Sequence, residues 1–374
     1  MTPAHTLLCT VGTSLPSNLG AIGDASPRAR EASRAWKERD WPALAQFLAG
    51  FHPADRLLGA EVNSVHDLTR LGYATPDALL VLFHSDSPEG RDAAVVLERY
   101  FRGLGHAVEL REVEYLTEEK PKVFKSKGLR NLVKGISRSV RERGTQSTGI
   151  DATGGYKAEA AVAALIGQAL GVPVYYKHER FSEIIAIPPM PVSFDQGLWM
   201  RWSGILGALD RGDLVRWRDV EADWEPSLEA LVDRVALDHD EYIDLSPAGQ
   251  IFHETFRGRL RGELDRMLPP PVPEGQKTEP RLTDHSWGPA REPVLRWLRR
   301  VVAEVPYVRG VRDTYWNPDL STPSLFRLKG DAIEGVYSNG TWTVKFAVET
   351  WAATPGQREA CVADLNARLA EWSG

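Results

Sequence analysis

The run Ile150-Asp151-Ala152-Thr153-Gly154-Gly155-Tyr156-Lys157 decides how this chain is read. A small-residue, apolar-sided stretch ends in Thr-Gly-Gly. An Ala-rich helix then begins with Lys157 in its first turn and continues through Ile166. Two glycines let the backbone approach a ligand closely, the helix N-terminus offers free N–H groups and a partial positive charge, and Lys157 adds a full one. The pattern predicts a site for an anion, phosphate above all. A Gly-Gly pair between strand and helix also serves as a plain tight turn, so the context must decide.

The flanking sequence supplies context. Thr6 to Val11 reads as a buried strand that runs into the hydroxyl- and amide-rich loop Gly12 to Leu19. Ala78 to Phe83 is a second strand, leading into His84-Ser85-Asp86-Ser87-Pro88-Glu89-Gly90 and a helix over 91–104. Further strands are expected at Ala107 to Val113, Thr148 to Ala152, Val172 to Lys177 and Glu183 to Ile187. Near-continuous apolar strands alternating with helices predict an α/β fold with a parallel, Rossmann-like sheet covered on both faces. Ligands of such sheets bind beyond the carboxyl ends of the strands. The loops Gly12–Leu19, His84–Gly90 and Thr153–Lys157 are therefore expected on one edge, as a pocket for a phosphate or nucleotide.

At 374 residues the chain exceeds a usual single core. The net charge of −6 argues against a whole-surface grip on nucleic acid, so a nucleotide site must be local. Cys9 and Cys361 are too far apart in sequence and too few for a disulfide framework or a four-ligand metal site, and no metal is expected. No stretch approaches the ~18 apolar residues of a membrane span, and the first residues lack a signal-peptide pattern, so a cytoplasmic, soluble protein is expected. Residues 115–147 are rich in Lys and Arg, for most of which a solvated helix face suffices.

The expected organisation is an N-terminal α/β domain over 1–192, a helical or winged-helix linker or dimerisation module over 193–268, a Pro-rich linker over 269–284 and a small α+β domain over 285–374. In the middle segment Leu228 to Ala236 reads as helical, Ser246 as an N-cap and Pro247 as a first helical residue, with Phe252, Phe256 and Leu260 at helical spacing. Nine of the twelve tryptophans follow residue 200, which predicts separate aromatic packing in the C-terminal half.

The last domain reads as a helix over 292–304, four strands, a Ser338-Asn339-Gly340 hairpin turn and a final helix over 357–371. Alternation places Trp342, Val344, Phe346 and Val348 on one face and Lys345 on the other, and likewise separates Phe326 and Leu328 from Arg327 and Lys329. Arg327, Lys329 and Lys345 are expected on an exposed face, with Tyr337 and one of Arg309 or Arg312 close by. Such a cluster suits metal-free RNA cleavage, in which cations stabilise a pentacoordinate phosphate and a group of lowered pKa moves a proton. A solvated outer sheet face carries the same residue types. His285 is a candidate auxiliary acid or base, or a packing residue at a helix entry. Arg234 and His239 have the spacing used by nucleases of the HEPN type, a spacing that Arg99 and His106 also meet loosely.

On Val11-Gly12-Thr13-Ser14, Ser85-Asp86-Ser87 and Asp151-Ala152-Thr153-Gly154-Gly155-Tyr156-Lys157, the first ~190 residues resemble the CARF domain of CRISPR-associated proteins. The resemblance implies a homodimer that binds cyclic oligoadenylate, cyclic tetra-adenylate above all, as an allosteric ligand, with Ser14, Asn18, Ser85, Thr153, Gly154, Gly155 and Lys157 lining it beside Gly12, Thr13, Asp86 and Ser87. Some CARF domains also cut their ligand. On element order, size and Arg327-Leu328-Lys329, the last ~95 residues resemble a RelE-type toxin domain. That resemblance implies a metal-independent endoribonuclease that cleaves messenger RNA on translating ribosomes, with contact to the ribosome, the stalk included. The expectation is a type III CRISPR ancillary effector with catalytic residues Arg327, Lys329, Lys345, Arg312 and Tyr337. The alternatives are a CARF-linked transcriptional regulator or a HEPN-type nuclease of naked RNA.

Overall fold

The computed structural model describes residues 2–21, 27–178, 183–257 and 261–373. The chain divides into two compact units, Met1–Ser193 and Phe194–Gly374.

The first unit is built on a six-stranded sheet: β1 (Ala4–Thr10), β2 (Ala74–Ser85), β3 (Val108–Val113), β4 (Thr148–Asp151), β5 (Val174–Lys177) and β6 (Ile184–Ile187), in the order β3-β2-β1-β4-β5-β6. The first five run parallel, and β6 joins the edge antiparallel. The parallel sheet read from the sequence is thus present, with one reversed edge strand. Leu7, Leu80, Leu82 and Ile150 are wholly buried, as a sheet covered on both faces demands. The chain leaves β1 toward β2 on one side, and leaves β4 toward β5 on the other. The carboxyl ends of β1 and β4 therefore form the topological switch point, where such sheets open a crevice. The crossover from β1 to β2 carries the helices Ser14–Gly20, Pro27–Glu38, Trp41–Leu48 and Gly59–Arg70, for which the sequence carries no motif.

The second unit begins with the helix Gln196–Arg211, whose N-cap Asp195 accepts Leu198 N–H at 2.9 Å. A small antiparallel sheet follows, β7 (Val215–Arg216), β8 (Val232–Leu237) and β9 (Asp240–Leu245), in the order β7-β9-β8. Here the expectation of a helix over 228–236 fails. Pro226–Leu231 is a 3-10 turn, and the following residues pair with β9 through a hairpin closed by Asp238 and His239, both at positive φ. That turn lacks the Asn-Gly signature by which such hairpins are recognised. The helix Pro247–Arg257 starts as expected, with Ser246 Oγ accepting Gly249 N–H at 3.0 Å and Phe252 and Phe256 buried; Leu260 lies outside the described residues.

The remainder is the helix Arg291–Glu304, the sheet β10 (Val308–Asn317), β11 (Leu325–Lys329), β12 (Ala332–Ser338) and β13 (Thr343–Thr350), and the helix Pro355–Ser373. The sheet is antiparallel in the order β10-β13-β12-β11. Residues 269–284 differ from a free spacer. They form a strap along β10, with Thr278 N–H to Arg309 O at 2.8 Å and Arg281 N–H to Val311 O at 2.9 Å. Leu325 and Val336, on the sheet face opposite Phe346, are buried with Trp202 and Ile205 of the first helix of this unit. Among the described residues no helix is long and apolar enough to cross a membrane, and both cysteines are buried and free.

Candidate functional site

Beyond the carboxyl ends of β1, β4 and β5 lies a cavity of about 720 Å³. Ser14 and Asn18 reach it from the helix after β1, Thr153 from the turn after β4 and Lys177 from the end of β5. A further wall is the helix Gly59–Arg70 and the loop before it, which contribute His52, Arg56, Asn63, His66, Asp67 and Arg70. Thus three of the expected ligand residues, Ser14, Asn18 and Thr153, meet in one cavity. The residues of this cationic wall lie on an amphipathic helix and a loop that carry no sequence motif.

The wall is internally braced. Asp67 pairs with Lys177 Nζ and with Arg70 Nε at 3.1 Å. Burial raises the Asp67 pKa, but the hydrogen bonds from Lys177 and Arg70 outweigh it and leave the carboxyl below its usual range. Burial pushes His66 below the ordinary imidazole value, against the pull of Asp67. His52 and His66 stand edge to face with ring centres 6.1 Å apart. Asn18 Nδ2 donates to Arg56 O at 2.6 Å, which ties the loop to the helix after β1.

Below the glycine turn lie three buried carboxyl groups. Glu61 accepts Gly12 N–H at 2.7 Å and Ser14 Oγ–H at 3.1 Å. Asp151 accepts from Ser64 Oγ and from Thr153 Oγ1, the latter at 2.5 Å. Glu159 accepts Tyr156 N–H at 3.0 Å. Burial raises all three pKa values, Asp151 to about 6 and Glu159 to about 8. This revises the role of the glycines. A Cβ on Gly154 would run into the Glu61 carboxylate and the Thr10 carbonyl, and one on Gly155 would lie 2.5 Å from Glu159 Oε2. A Cβ on Gly12 would lie 2.6 Å from Gly155 N. Small residues are needed here for the turn to settle on its own acidic floor. Glu159 also takes a backbone N–H at the helix start, in competition with any outside anion.

The other expected ligand residues lie elsewhere. Lys157 is exposed and outside the cavity. Ser87 caps the helix Pro88–Gly103, accepting Gly90 N–H at 3.1 Å, and shares a hydrogen bond with Ser85 at 2.8 Å. Asp86 Oδ2 accepts Tyr115 N–H at 2.8 Å. The loop after β2 is therefore occupied with its own turn and the segment after β3. It shares the carboxyl edge with the other two, since β1, β2 and β4 are parallel, but not the cavity. Thr13 sits at the start of the helix Ser14–Gly20. Within the basic stretch, Phe124 opens a π-helical turn and packs edge-on against Tyr156 at 5.4 Å, while Lys122, Lys125 and Lys127 are exposed.

In the second unit, Arg312, Tyr315, Lys329, Glu334 and Lys345 line a shallow groove of about 370 Å³ on the outer face of the β10–β13 sheet. Two expectations change. Arg327 is largely buried, its guanidinium bound to Glu334 at 2.8 and 3.0 Å and to the Asp219 carbonyl at 3.2 Å. Tyr337 faces the other side, because it pairs with the buried Val344, and it stacks on Trp297 at 4.4 Å. Tyr315 supplies the hydroxyl on the outer face instead, with Lys345 Nζ 5.1 Å from its ring centre. Arg309 pairs with Glu349 at 3.0 Å. Arg234 lies 3.7 Å over the Trp217 ring and pairs with Glu229, while His239 is in the hairpin turn, so that spacing belongs to a β-hairpin. Among the described residues no group of three or more His, Cys, Asp or Glu is arranged to hold a metal ion.

The chain thus combines a doubly wound α/β domain, with a cavity at its switch point, and an antiparallel α+β unit. Residues 56–190, a little over a third of the chain, match the profile of a family described as CRISPR-associated protein (Cas_APE2256). The matched span contains the helix Gly59–Arg70, the glycine turn and Lys177. A solved structure, Can2 from Sulfobacillus thermosulfidooxidans in complex with cyclic tetra-adenylate, overlaps 93% of this chain and 75% of its own at 10% identity, with a TM-score of 0.25, too loose a likeness to carry an argument. No curated protein sequence matches the chain.

Proposed function

We propose that the first unit binds a cyclic oligoadenylate and that the second is a metal-independent endoribonuclease which the ligand switches on, acting on messenger RNA at translating ribosomes as a type III CRISPR ancillary effector. The carrying observation is the switch-point cavity, which Ser14, Asn18 and Thr153 line together with Arg56, Arg70 and Lys177. Its match to a CRISPR-associated family over 56–190 supports the same reading. A cavity of about 720 Å³ suits part of a nucleotide ring, so a homodimer with the ring on its dyad would offer both halves the same contacts. In the second unit, Arg312, Lys329 and Lys345 converge on one groove in which a phosphate can be held. For the ring to activate, it must bind the active arrangement more tightly than the idle one.

The test is titration of the full chain with cyclic tri-, tetra- and hexa-adenylate, followed by messenger RNA cleavage in a translation extract with and without the ring that binds. Absence of binding to every ring sinks the ligand reading. Equal cutting with and without the ring sinks the switch. Cutting of naked RNA at the same rate removes the ribosome from the account.

The imidazoles of His52 and His66 on the cavity wall favour a second activity of the same pocket, slow cleavage of the bound ring. Chromatography of cyclic tetra-adenylate incubated with wild type and His66→Ala tests it; an intact ring after prolonged incubation with wild type rejects it.

A further inference from the structure

The groove on the outer sheet face is lined by the cations Arg312, Lys329 and Lys345, and no imidazole lines it. A second feature at the same strand supplies one. His285 Nε2 lies 3.2 Å from Asp313 Oδ2. The Asp313 side chain is fully buried, and it also accepts Thr283 N–H at 2.6 Å and Thr283 Oγ1–H at 2.5 Å. The imidazole is partly exposed, at 39% of its side chain. A carboxylate held by the two Thr283 donors orients the ring through Nε2 and leaves Nδ1 as the other ring nitrogen. The tight turn is kept by His285 N–H to Thr283 O at 2.9 Å and Trp287 Nε1–H to the same carbonyl at 3.0 Å.

Next to this pair is an aromatic cleft of about 490 Å³, lined by Trp287, Trp316, Tyr337, Trp342 and three prolines. The His285 and Trp287 rings are 5.4 Å apart, those of Trp287 and Trp316 4.6 Å, and those of Trp316 and Trp342 5.5 Å. Arg296 is close enough to Tyr337 to pull its phenol pKa down against the larger effect of burial. Aromatic walls beside cations fit a planar, anionic ligand, and bases of single-stranded nucleic acid stack on such side chains.

The two features meet at β10, an edge strand. Arg312 and Tyr315 belong to the outer groove, Trp316 and Pro318 to the cleft. The strap bonds β10 at Arg309, Val311 and Asp313, then turns away through His285. A strand of RNA with a phosphate over Arg312 and Lys345 and a base in the cleft would cross this edge beside His285.

We propose that His285, positioned by the buried Asp313, is the general base of RNA cleavage and that the tryptophan cleft holds a base of the substrate. In this step His285 Nδ1 takes the proton of a ribose 2′-hydroxyl. The 2′-oxygen attacks the adjacent phosphorus, the P–O5′ bond breaks and the 5′-oxygen takes a proton from water. The products are a 2′,3′-cyclic phosphate and a 5′-hydroxyl, with the excess proton left on the imidazolium and returned to solvent. This rests on the ribonuclease reading above.

The experiment has two arms. In the first, the full chain with the activating ring is given RNA, and His285→Ala and Asp313→Asn are compared with wild type for rate, pH profile and melting temperature. A loss of about 100-fold or more for His285→Ala, with unchanged melting temperature and loss of the acidic limb of the pH–rate profile, is expected. Wild-type cutting by His285→Ala overturns the base. In the second arm, tryptophan fluorescence is titrated with a 2′-deoxy oligonucleotide, which cannot be cut, and with a proline-rich peptide. Quenching by the oligonucleotide, weakened at least tenfold in Trp342→Ala, is expected; quenching by the peptide alone overturns the cleft assignment and marks a protein-docking groove. If no RNA is cut under any condition, the ribonuclease reading and the general base fall together, while the second arm still decides the cleft.

Discussion

Arg327 and Glu334 face each other directly across the β11–β12 hairpin, with both Nε and Nη2 of the guanidinium on one carboxylate oxygen, at 3.0 and 2.8 Å. Only 19% of the arginine side chain and 9% of the glutamate are exposed. Arg327 accordingly does not line the groove with Arg312, Lys329 and Lys345. Arg327→Ala leaves Glu334 buried with only the distant Lys329 Nζ, at 3.8 Å. Removing one partner of a buried pair costs roughly 3 kcal/mol. Arg327→Ala is therefore expected to lower the unfolding midpoint markedly, whereas Lys329→Ala, at an exposed position, leaves it nearly unchanged. A double-mutant cycle of Arg327→Ala and Glu334→Ala in urea checks this; additive effects would remove the coupling.

In the groove itself, Lys329→Ala combined with Lys345→Ala is expected to reduce RNA cutting at least 100-fold while the melting temperature moves by only a degree or two. Cyclic-nucleotide binding is expected to be unaffected, because the cavity residues all belong to the first unit. Retained cutting in the double variant would move the phosphate site away from this face.

Gly154→Ala is expected to destabilise the first unit by several kcal/mol, on the order of 3 or more, since the added methyl meets a backbone carbonyl and a buried carboxylate together. Lys157→Ala, in the same motif but exposed, is expected to melt like wild type. Differential scanning calorimetry of the two variants separates a turn required by packing from one required by a ligand.

The buried acids predict a pH dependence of definite sign. In the folded chain Glu159 titrates at about 8 against 4.5 for the free side chain, and Asp151 at about 6 against 3.8, both raised by burial. The folded state therefore holds these protons to higher pH than the unfolded state. Their contribution to stability is complete in acid, and it is lost as pH rises through about 6 for Asp151 and about 8 for Glu159. Urea midpoints should fall between pH 5.5 and 8.5, and Glu159→Gln should fall less steeply, because its amide oxygen still accepts Tyr156 N–H without charging. Parallel curves for the two proteins would show that Glu159 is already ionised in the folded state.

Cyclic-nucleotide affinity should depend on the braced wall. Arg70→Ala and Lys177→Met are each expected to weaken binding about tenfold or more and to make the remaining affinity less sensitive to salt. Calorimetric titration at two ionic strengths measures both effects. Unchanged affinity in both variants would place the ligand outside this cavity.

Much of the architecture was legible in the residues. Apolar runs such as Leu79 to Phe83 announce buried strands, and the helices after β2 and β4 are legible beside them, whereas those between β1 and β2 are not. The switch-point edge follows from strand direction, and Ser14, Asn18 and Thr153, expected from the family resemblance, line the cavity there. Ser85, Asp86 and Ser87 have the right composition and edge but do not line the cavity, which a list of residue types does not reveal. His52, Arg56, His66 and Arg70 had no pattern to betray them, because a helix that presents cations to a cavity has the same periodicity as one that presents them to water. Lys177 came from a strand end whose neighbour was unknown until the sheet order was. In the second unit, alternation correctly divided Phe346 from Lys345, yet it carried no information on Glu334 as the partner of Arg327, on the face of Tyr337, or on the strap that brings Thr283 and His285 to Asp313.

The sequence by itself determined the strands of the first unit and the sheet edge where its loops gather, because these depend on local apolar runs and chain direction. Only the tertiary structure decided which cations are free and which are spent on buried carboxylates, and why the glycines stand where they do. Those depend on contacts between residues far apart in the chain, where Gly154 meets Glu61 and His285 meets Asp313, and a one-dimensional pattern does not record such meetings.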